Sequence, residues 1–516
     1  MRPMPAGLDL GSSSVKAVLV PRDGDAGRAA RRGISTRRLA GGRVEHDAEA
    51  LLDAAVAALR AVLPRQRRGG PETLGIATQR STVLFWDRDS GRPLTPAYSW
   101  QDRRGAPLCE RLTRRSRRGH DRSRSGSLED SIRRRTGLRL SPHYAAAKLA
   151  WALAHVRGLR RRVAAGRALW GTLGTFLAWR MSGGALYAID HANAQRTLLF
   201  DLESQTWEPG LFDLFGLAPL LDAPALPALV PTSLAEGACL EAAGHPFRLE
   251  AMTGDQQGAL IGLGCLNDGT AAINYGSGAF VLIGTGARLL RVPGLLTTMV
   301  ASWRAPQGAG SRREARYAVE GPVNAAGTAI DWAAARLGLR LRAADLDRRL
   351  GEDPGRARTV HFLPAVSGLG APRWDPSARP RFAGDVRRAS TRDLLRAVVE
   401  SIACRCAEIV RAAPQARGSG PILAAGGLAR CRTLLQAQAD LLQRPVIVRE
   451  SPDATCLGAA LLTRPPSTWW RNGTGGNGPL TRRPGDVVVR PRLSRSAAED
   501  RYLAWEKAVY GRAASR

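Results

Sequence analysis

Short apolar runs alternate along the chain with segments of helical period, beginning at the N-terminus. There Gly7-Leu8-Asp9-Leu10 runs into Gly11-Ser12-Ser13-Ser14 and leaves through Val15-Lys16-Ala17-Val18-Leu19-Val20, a strand, a turn of small residues and a strand. Leu51, Leu52, Ala55, Val56, Leu59, Val62 and Leu63 repeat on one face and predict a helix over 47–63. Residues 73–78 and 82–87 read as strands on either side of Gln79-Arg80-Ser81. In mid-chain, Thr253-Gly254-Asp255-Gln256-Gln257-Gly258-Ala259 sets Asp255 where an extended segment meets a helix carrying Leu260 and Leu263. The strand-turn-strand pattern then recurs as Ala272-Ile273-Asn274-Tyr275, Gly276-Ser277-Gly278 and Ala279-Phe280.

Further on, Ser390-Thr391-Arg392-Asp393 is a capping pattern before Leu394, Leu395, Val398, Val399 and Ile402. Residues 421–425 form a buried strand, Gly426-Gly427 a tight turn, 434–442 a helix and 446–448 a returning strand. Such a strand-helix-strand unit presents its turn where α/β sheets bind ligands, although a glycine pair at a strand end is often a turn alone. The Pro-, Gly- and Arg-rich stretch from 464 to 486 reads as a linker, and 497–510 as a closing helix.

At 516 residues, 44% of them hydrophobic, the chain is long enough for two cores. Its formal net charge of +31 raises the question of a nucleic-acid partner. The cations are arginines apart from Lys16, Lys148 and Lys507, and no nucleic-acid module accompanies them, so a solvated basic surface is the better account. The densest run, from Arg114 to Arg124, reads as a flexible surface insertion. Seven scattered cysteines argue against a disulfide framework, and Cys404-Arg405-Cys406 has the wrong spacing for zinc or a redox pair. With no apolar signal core and no run fit to cross a bilayer, the expected location is cytoplasmic, where the sequon at Asn472 has no meaning.

The chemistry gathers at the turns. Short Gly/Ser turns let backbone N–H groups approach phosphate oxygens, and a matched pair half a chain apart points to a duplicated fold gripping a polyphosphate. Asp255 is placed either to take a proton from a substrate hydroxyl or merely to cap its helix. Arg80 is either a donor to substrate hydroxyls or a surface arginine. Trp100 offers a flat apolar face and Asp102 two acceptors, a combination suited to a polyol, with Trp100 alternatively a core residue.

Taken together, several stretches resemble the FGGY carbohydrate kinases, nearest the glycerol kinase branch. They are residues 7–16, Val44-Glu45-His46-Asp47, Thr78-Gln79-Arg80, Trp100-Gln101-Asp102-Arg103-Arg104, residues 190–200, Gly254-Asp255-Gln256-Gln257, Tyr275-Gly276-Ser277-Gly278, Glu320-Gly321-Pro322 and residues 368–376, in the family's order from about 6 to 462. The resemblance implies an α/β chain with two actin-like, ribonuclease-H-like domains around a cleft. The substrate-binding domain would span 1–250 and the nucleotide-binding domain 251–464, with 465–516 a linker and helix. It implies ATP and Mg2+ as cofactors, a small polyol or sugar as substrate, a homodimer by family habit, and neither nucleic acid nor membrane as partner.

By similarity, Asp9 would hold magnesium through water, Ser12, Ser13 and Ser14 would meet the phosphates, and Lys16 would approach the nucleotide. Asp255 would be the base and Gln256 a substrate ligand, with Phe280 facing the substrate's carbon side. Ser277 and Gly278 would lie along the phosphates and Gly327 and Gly427 near the nucleotide. Departures bear on specificity. Ser81 stands where glycerol kinases carry Glu, and His143, or after a one-residue slip Tyr144, stands where they carry a substrate-binding Tyr. Asp331 and Cys431 replace amides near the nucleotide. Glycerol, another polyol or a ketose (xylulose, ribulose, erythritol and gluconate among the candidates) therefore stays open as acceptor. A catalytically idle sugar sensor on the same fold is the competing reading.

Overall fold

The computed structural model describes residues 5–20, 27–63, 72–118, 127–222, 224–242, 244–265, 269–304, 313–341, 345–351, 359–413, 418, 420–449, 453–465 and 485–511. The chain divides into two compact units. The first comprises Met1–Gly264, Thr298–Tyr317 and Pro452–Gly478, and the second Cys265–Thr297, Ala318–Ser451 and Pro479–Arg516. Residue 250, where the sequence suggested a boundary, lies inside the first unit. The helix Asp255–Leu263 stays in the first unit, and the helix Ala454–Leu462 returns to it from the far end of the sequence.

The first unit is built on a six-stranded sheet in the order Ser233–Ala242, His245–Gly254, Glu72–Thr78, Pro5–Leu10, Ser14–Leu19, Ala29–Gly33. Pro5–Leu10 pairs antiparallel with Ser14–Leu19 and parallel with Glu72–Thr78, which pairs parallel with His245–Gly254. Six consecutive strands of the second sheet repeat this layout in the order Val487–Val489, Val446–Val448, Ile422–Ala425, Ala271–Tyr275, Ala279–Gly286, Arg313–Val323. Ala271–Tyr275 is antiparallel to Ala279–Gly286 and parallel to Ile422–Ala425, which is parallel to Val446–Val448. The duplication expected from the two small-residue turns is present in the strand order.

Apolar periodicity explains the remaining elements. The helix Ala48–Val62 is capped by Asp47, whose carboxylate accepts from the N–H groups of Glu49 and Ala50, and buries Leu51, Ala55, Ala58, Leu59 and Val62 against the first sheet's core. The helix Thr391–Arg411 carries the expected Ser390/Asp393 capping box and buries Leu395, Val398, Val399 and Ile402 in the second core. Residues 82–87 form the strand Val83–Asp87, but in a separate five-stranded sheet rather than beside Glu72–Thr78.

Close packing fixes one end of the first unit. A Cβ on Gly262 would lie 1.9 Å from the carbonyl oxygen of Ala454, and one on Gly458 would lie 1.8 Å from that of Gly258. Only glycine lets the helices Asp255–Leu263 and Ala454–Leu462 approach so closely. The second helix lies in turn on the two central strands through Gly7 and Gly75, where a Cβ would meet the Cys456 and Ala459 carbonyls at 1.9 Å. Residues 114–118 of the arginine run belong to the helix Ala106–Arg118, a correction to the flexible insertion, while 119–124, most of the linker and Asn472 lie outside the described residues. Among the described residues no helix is long and apolar enough to cross a membrane.

Candidate active site

In the first unit three neighbouring parallel strands end together, with Leu10 in register with Thr78 and Thr78 with Gly254. The segments that leave these ends are the turn 11–14, the triplet Gln79-Arg80-Ser81 and the helix beginning at Asp255. This is the carboxyl edge where parallel sheets gather ligand-binding groups. Asp9 sits one residue inside its strand, 6% exposed, opposite Lys16 in the hairpin register. Burial pushes its carboxyl up to about 7, with the nearby charges of Asp255 and Asp453 acting in the same direction and Lys16 opposing them. Its buried Oδ1 has no hydrogen-bond partner among the described residues.

Asp255 does not cap its helix. Gly254 is the N-cap and Asp255 the first helical residue, with its Oδ1 accepting from the Gln256 N–H at 2.8 Å and facing the Arg80 guanidinium at 3.6 Å. Its side chain keeps 24% exposure, so the carboxylate is oriented yet reachable, as a general base must be. Arg80 is only 11% exposed and paired with that carboxylate, not a surface arginine. Gln256 is half-buried beside it.

The residues expected around an acceptor separate into two groups. Trp100 is half-buried, and its indole N–H donates to the Ser12 hydroxyl at 2.9 Å, joining it to the turn 11–14. Ser13 is exposed and Ser14 buried. His143 is exposed, lies beside Trp100 and places Nδ1 3.0 Å from the Trp100 carbonyl oxygen; Tyr144 precedes the helix Ala145–His155 as its N-cap residue.

Asp102, by contrast, is fully enclosed. Oδ1 accepts from the Arg104 N–H at 2.9 Å and Nε at 2.8 Å, and Oδ2 from Arg104 Nη2 at 2.8 Å and the Val44 N–H at 2.7 Å. With both oxygens engaged it belongs to the scaffold, correcting its place as a substrate ligand. Arg104 completes this scaffold by pairing with Glu45 at 2.6 Å and lying over the Tyr98 ring at 3.7 Å. Ser81 is likewise turned inward: its backbone has φ +63°, and its hydroxyl donates to the Arg196 carbonyl at 3.0 Å.

The second unit repeats the edge with different chemistry. Asn274 and Ala425 are in register on parallel strands that lead into the exposed residues Gly276, Ser277, Gly426 and Gly427. The turn is locked onto the start of the helix Gly327–Arg336, for the Ser277 carbonyl accepts from the N–H groups of Ala326 at 2.9 Å and Thr328 at 3.0 Å, and the Gly276 carbonyl from that of Gly327 at 3.0 Å. A Cβ on Gly278 would lie 2.6 Å from the Val323 carbonyl, whereas one on Gly427 would meet no atom within 4 Å. Phe280 is half-buried opposite Asn274, and Asp331 is exposed on the helix. Cys431 is buried, its thiol pushed up to about 12 by burial and donating to Asp347, so it does not present itself to a ligand. Asp347, which the sequence did not single out, accepts from the Arg432 and Thr433 N–H groups at 2.7 and 3.0 Å and anchors that helix start.

An unpartnered buried carboxylate oxygen beside a Gly/Ser turn fits a hydrated divalent ion, and the exposed glycine faces of the second unit leave the backbone bare for phosphate. Among the described residues no three His, Cys, Asp or Glu side chains gather to hold a metal by themselves.

Models of the FGGY family of carbohydrate kinases match residues 4–262 with the N-terminal domain and 271–464 with the C-terminal domain. The chain belongs to this family. A glycerol kinase of Thermus brockianus is 38% identical over 97% of each chain, and one of Aromatoleum aromaticum is 37% identical over 88% of each. Among solved structures, Plasmodium falciparum glycerol kinase with ADP superposes with a TM-score of 0.81 at 22% identity over 98% of this chain and 97% of that one. A xylulose kinase from Rhodospirillum rubrum gives 0.77 at 21% over 98% and 97%. This FGGY chain is therefore an ATP-dependent phosphotransferase with a small polyol or sugar as the acceptor. Its described residues carry one cluster that sequence reading missed: Lys148, fully buried, donates to the carbonyls of Ser81 at 2.6 Å, Ser99 at 2.9 Å and His143 at 2.9 Å. The available signal was a lysine within the apolar stretch Ala145-Ala146-Ala147-Lys148-Leu149.

Proposed function

We propose that this kinase transfers the terminal phosphoryl group of ATP to a hydroxyl of glycerol or a closely similar polyol, with Asp255 as the base and Asp9 holding magnesium through water. The observation that carries the reading is the pairing of two unlike carboxylates at one sheet edge. Asp255 is oriented by the Gln256 N–H and Arg80 and remains accessible, while Asp9 is buried with an unpartnered oxygen. Magnesium, when bound, offsets charge on the phosphates.

The protein's own groups do the rest. Asp255 accepts the hydroxyl proton as the acceptor oxygen attacks phosphorus, and Arg80 keeps the carboxylate aimed. Trp100 and His143 bind the acceptor, its carbon edge on the indole, with Gln256 adding polar contacts and Phe280 a further apolar one. Ser12, Ser13, Ser14, Lys16, Ser277 and Gly278 contact phosphate oxygens. Gly327, Gly427 and the exposed Asp331 lie toward the rest of the nucleotide. The similarity to glycerol kinases supports glycerol. The inward-turned Ser81 hydroxyl leaves the acceptor one polar contact fewer, which weakens discrimination among short polyols, since rejection of a wrong acceptor depends on groups it would leave unpaired. The seven cysteines are thiols outside any disulfide, as a reducing cytoplasm would keep them.

The test is ADP release with glycerol, erythritol, xylulose, ribulose and gluconate under saturating ATP and magnesium. Glycerol is expected to give the highest kcat/KM with erythritol measurable. Silence with all five, despite ATP binding, would reject the reading in favour of a sensor.

A further inference from the structure

Lys148 lies in the first turns of the helix Ala145–His155, and its ammonium is enclosed without an ion-pair partner among the described residues. Asp102, the carboxylate whose charge bears on it, spends both oxygens on Arg104 and Val44. A lysine buried on an apolar helix face is costly unless its hydrogens are matched. Here three N–H donors meet three carbonyl oxygens, from Ser81, Ser99 and His143. Without a cation, three converging carbonyl dipoles repel one another. The ammonium therefore determines whether these three segments can meet at all.

What hangs on those segments is the acceptor machinery. Ser81 follows Arg80, which aims Asp255, and holds a φ of +63° that a serine adopts only under constraint. Ser99 precedes Trp100. The His143 ring, with Nδ1 3.0 Å from the Trp100 carbonyl, must carry its proton there, which presents Nε2 as an acceptor for a hydroxyl. The chain of contacts continues from Trp100 to the Ser12 hydroxyl at 2.9 Å and from the Trp100 N–H to Thr82 Oγ1 at 3.1 Å.

We propose that Lys148 is a positioning residue for the acceptor pocket, its ammonium clasping the Ser81, Ser99 and His143 carbonyls so that Arg80, Trp100 and His143 take their places around the polyol. The proposal rests on the kinase reading above. It predicts a selective defect, because the clasp organises acceptor contacts and leaves the second unit's glycine turns untouched.

The experiment is steady-state kinetics of Lys148→Met, Lys148→Gln and Lys148→Arg against the best acceptor of the panel and against ATP, with far-UV circular dichroism and melting as controls on folding. Loss of the three-carbonyl clasp in Lys148→Met is expected to raise the acceptor KM about tenfold or more while changing the KM for ATP by less than about twofold. Lys148→Arg and Lys148→Gln, which keep some donors, should fall between, and they carry the test if the methionine variant does not fold. A His143→Ala variant should add little to Lys148→Met, since both act on the same ring. Equal rises in the two KM values, a loss of kcat alone, or full additivity with His143→Ala would overturn the proposal and leave the kinase reading standing. A wild-type protein that phosphorylates no acceptor would overturn both.

Discussion

The two small-residue turns share strand order and sense but differ at the position two residues before the first glycine. In the first unit that residue is Asp9, facing Lys16 across the hairpin; in the second it is Asn274, facing Phe280. The strands flanking the first turn carry the ionisable Asp9 and Lys16, and the turn adjoins Arg80 and Asp255. The second carries none of these and offers glycine faces and one hydroxyl. A duplicated scaffold has thus been divided by single side chains into an electrostatic half and a neutral cradle. The difference shows that the fold supplies the edge and side chains choose the task.

The strongest way to break the comparison is to remove the proposed base. Asp255→Asn keeps the Gln256 contact geometry but cannot accept a proton, so turnover is expected to fall by about 10²- to 10⁴-fold with nucleotide affinity retained. Rapid-quench turnover beside calorimetric ATP titration checks this, and wild-type-like turnover would remove Asp255 from the chemistry. Next, Asp9→Asn makes the first turn resemble the second. Turnover should drop by about 10²-fold or more, since charge placed against the nucleotide's cation is lost. Without nucleotide or divalent ion, the same variant should melt a few degrees higher at pH 8, because an unpaired buried carboxylate is costly and an amide less so. A lower melting temperature there would show that Asp9 is already compensated.

Individual helices, caps and turns were legible because each rests on local chemistry: apolar period for Ala48–Val62, a capping box at Ser390, small residues at 11–14 and 276–278. The Asp9/Asp255 edge was legible through the family pattern. What escaped depends on partners distant in sequence. Asp102 reads as an open acceptor until Arg104 and Val44 are seen to fill it. Cys431 reads as a ligand position until Asp347 meets it. The return of 454–462 to the first unit escaped because Gly258, Gly262 and Gly458 bind two helices far apart in sequence into one body, and glycine spacing alone does not name the other helix. Lys148 escaped because its acceptors are backbone carbonyls, which every residue has.

The neutral cradle can be tested by sterics. Gly278→Ala drives a methyl to 2.6 Å from the Val323 carbonyl and should raise the KM for ATP roughly tenfold with a loss of about 1–3 kcal/mol in stability, whereas Gly276→Ala, whose nearest neighbour would be 3.7 Å away, should be tolerated in the fold. Chemical denaturation and ATP kinetics separate the two; equal effects would mean that tight packing does not define this turn.

The smallest effect is expected at Ser12, where the two roles of the first turn meet. Its hydroxyl accepts the Trp100 indole N–H, so only its own hydrogen remains to offer a phosphate oxygen. Ser12→Ala leaves the half-buried indole able to find water, a net cost of about 1 kcal/mol, and should change the ATP and acceptor KM values together by no more than about fivefold. Ser277→Ala, whose residue is exposed and has no such link to the acceptor side within its unit, should move only the ATP value. If Ser12→Ala also moved ATP alone, the indole contact would be incidental and the charged turn would act on phosphate without coupling to the polyol.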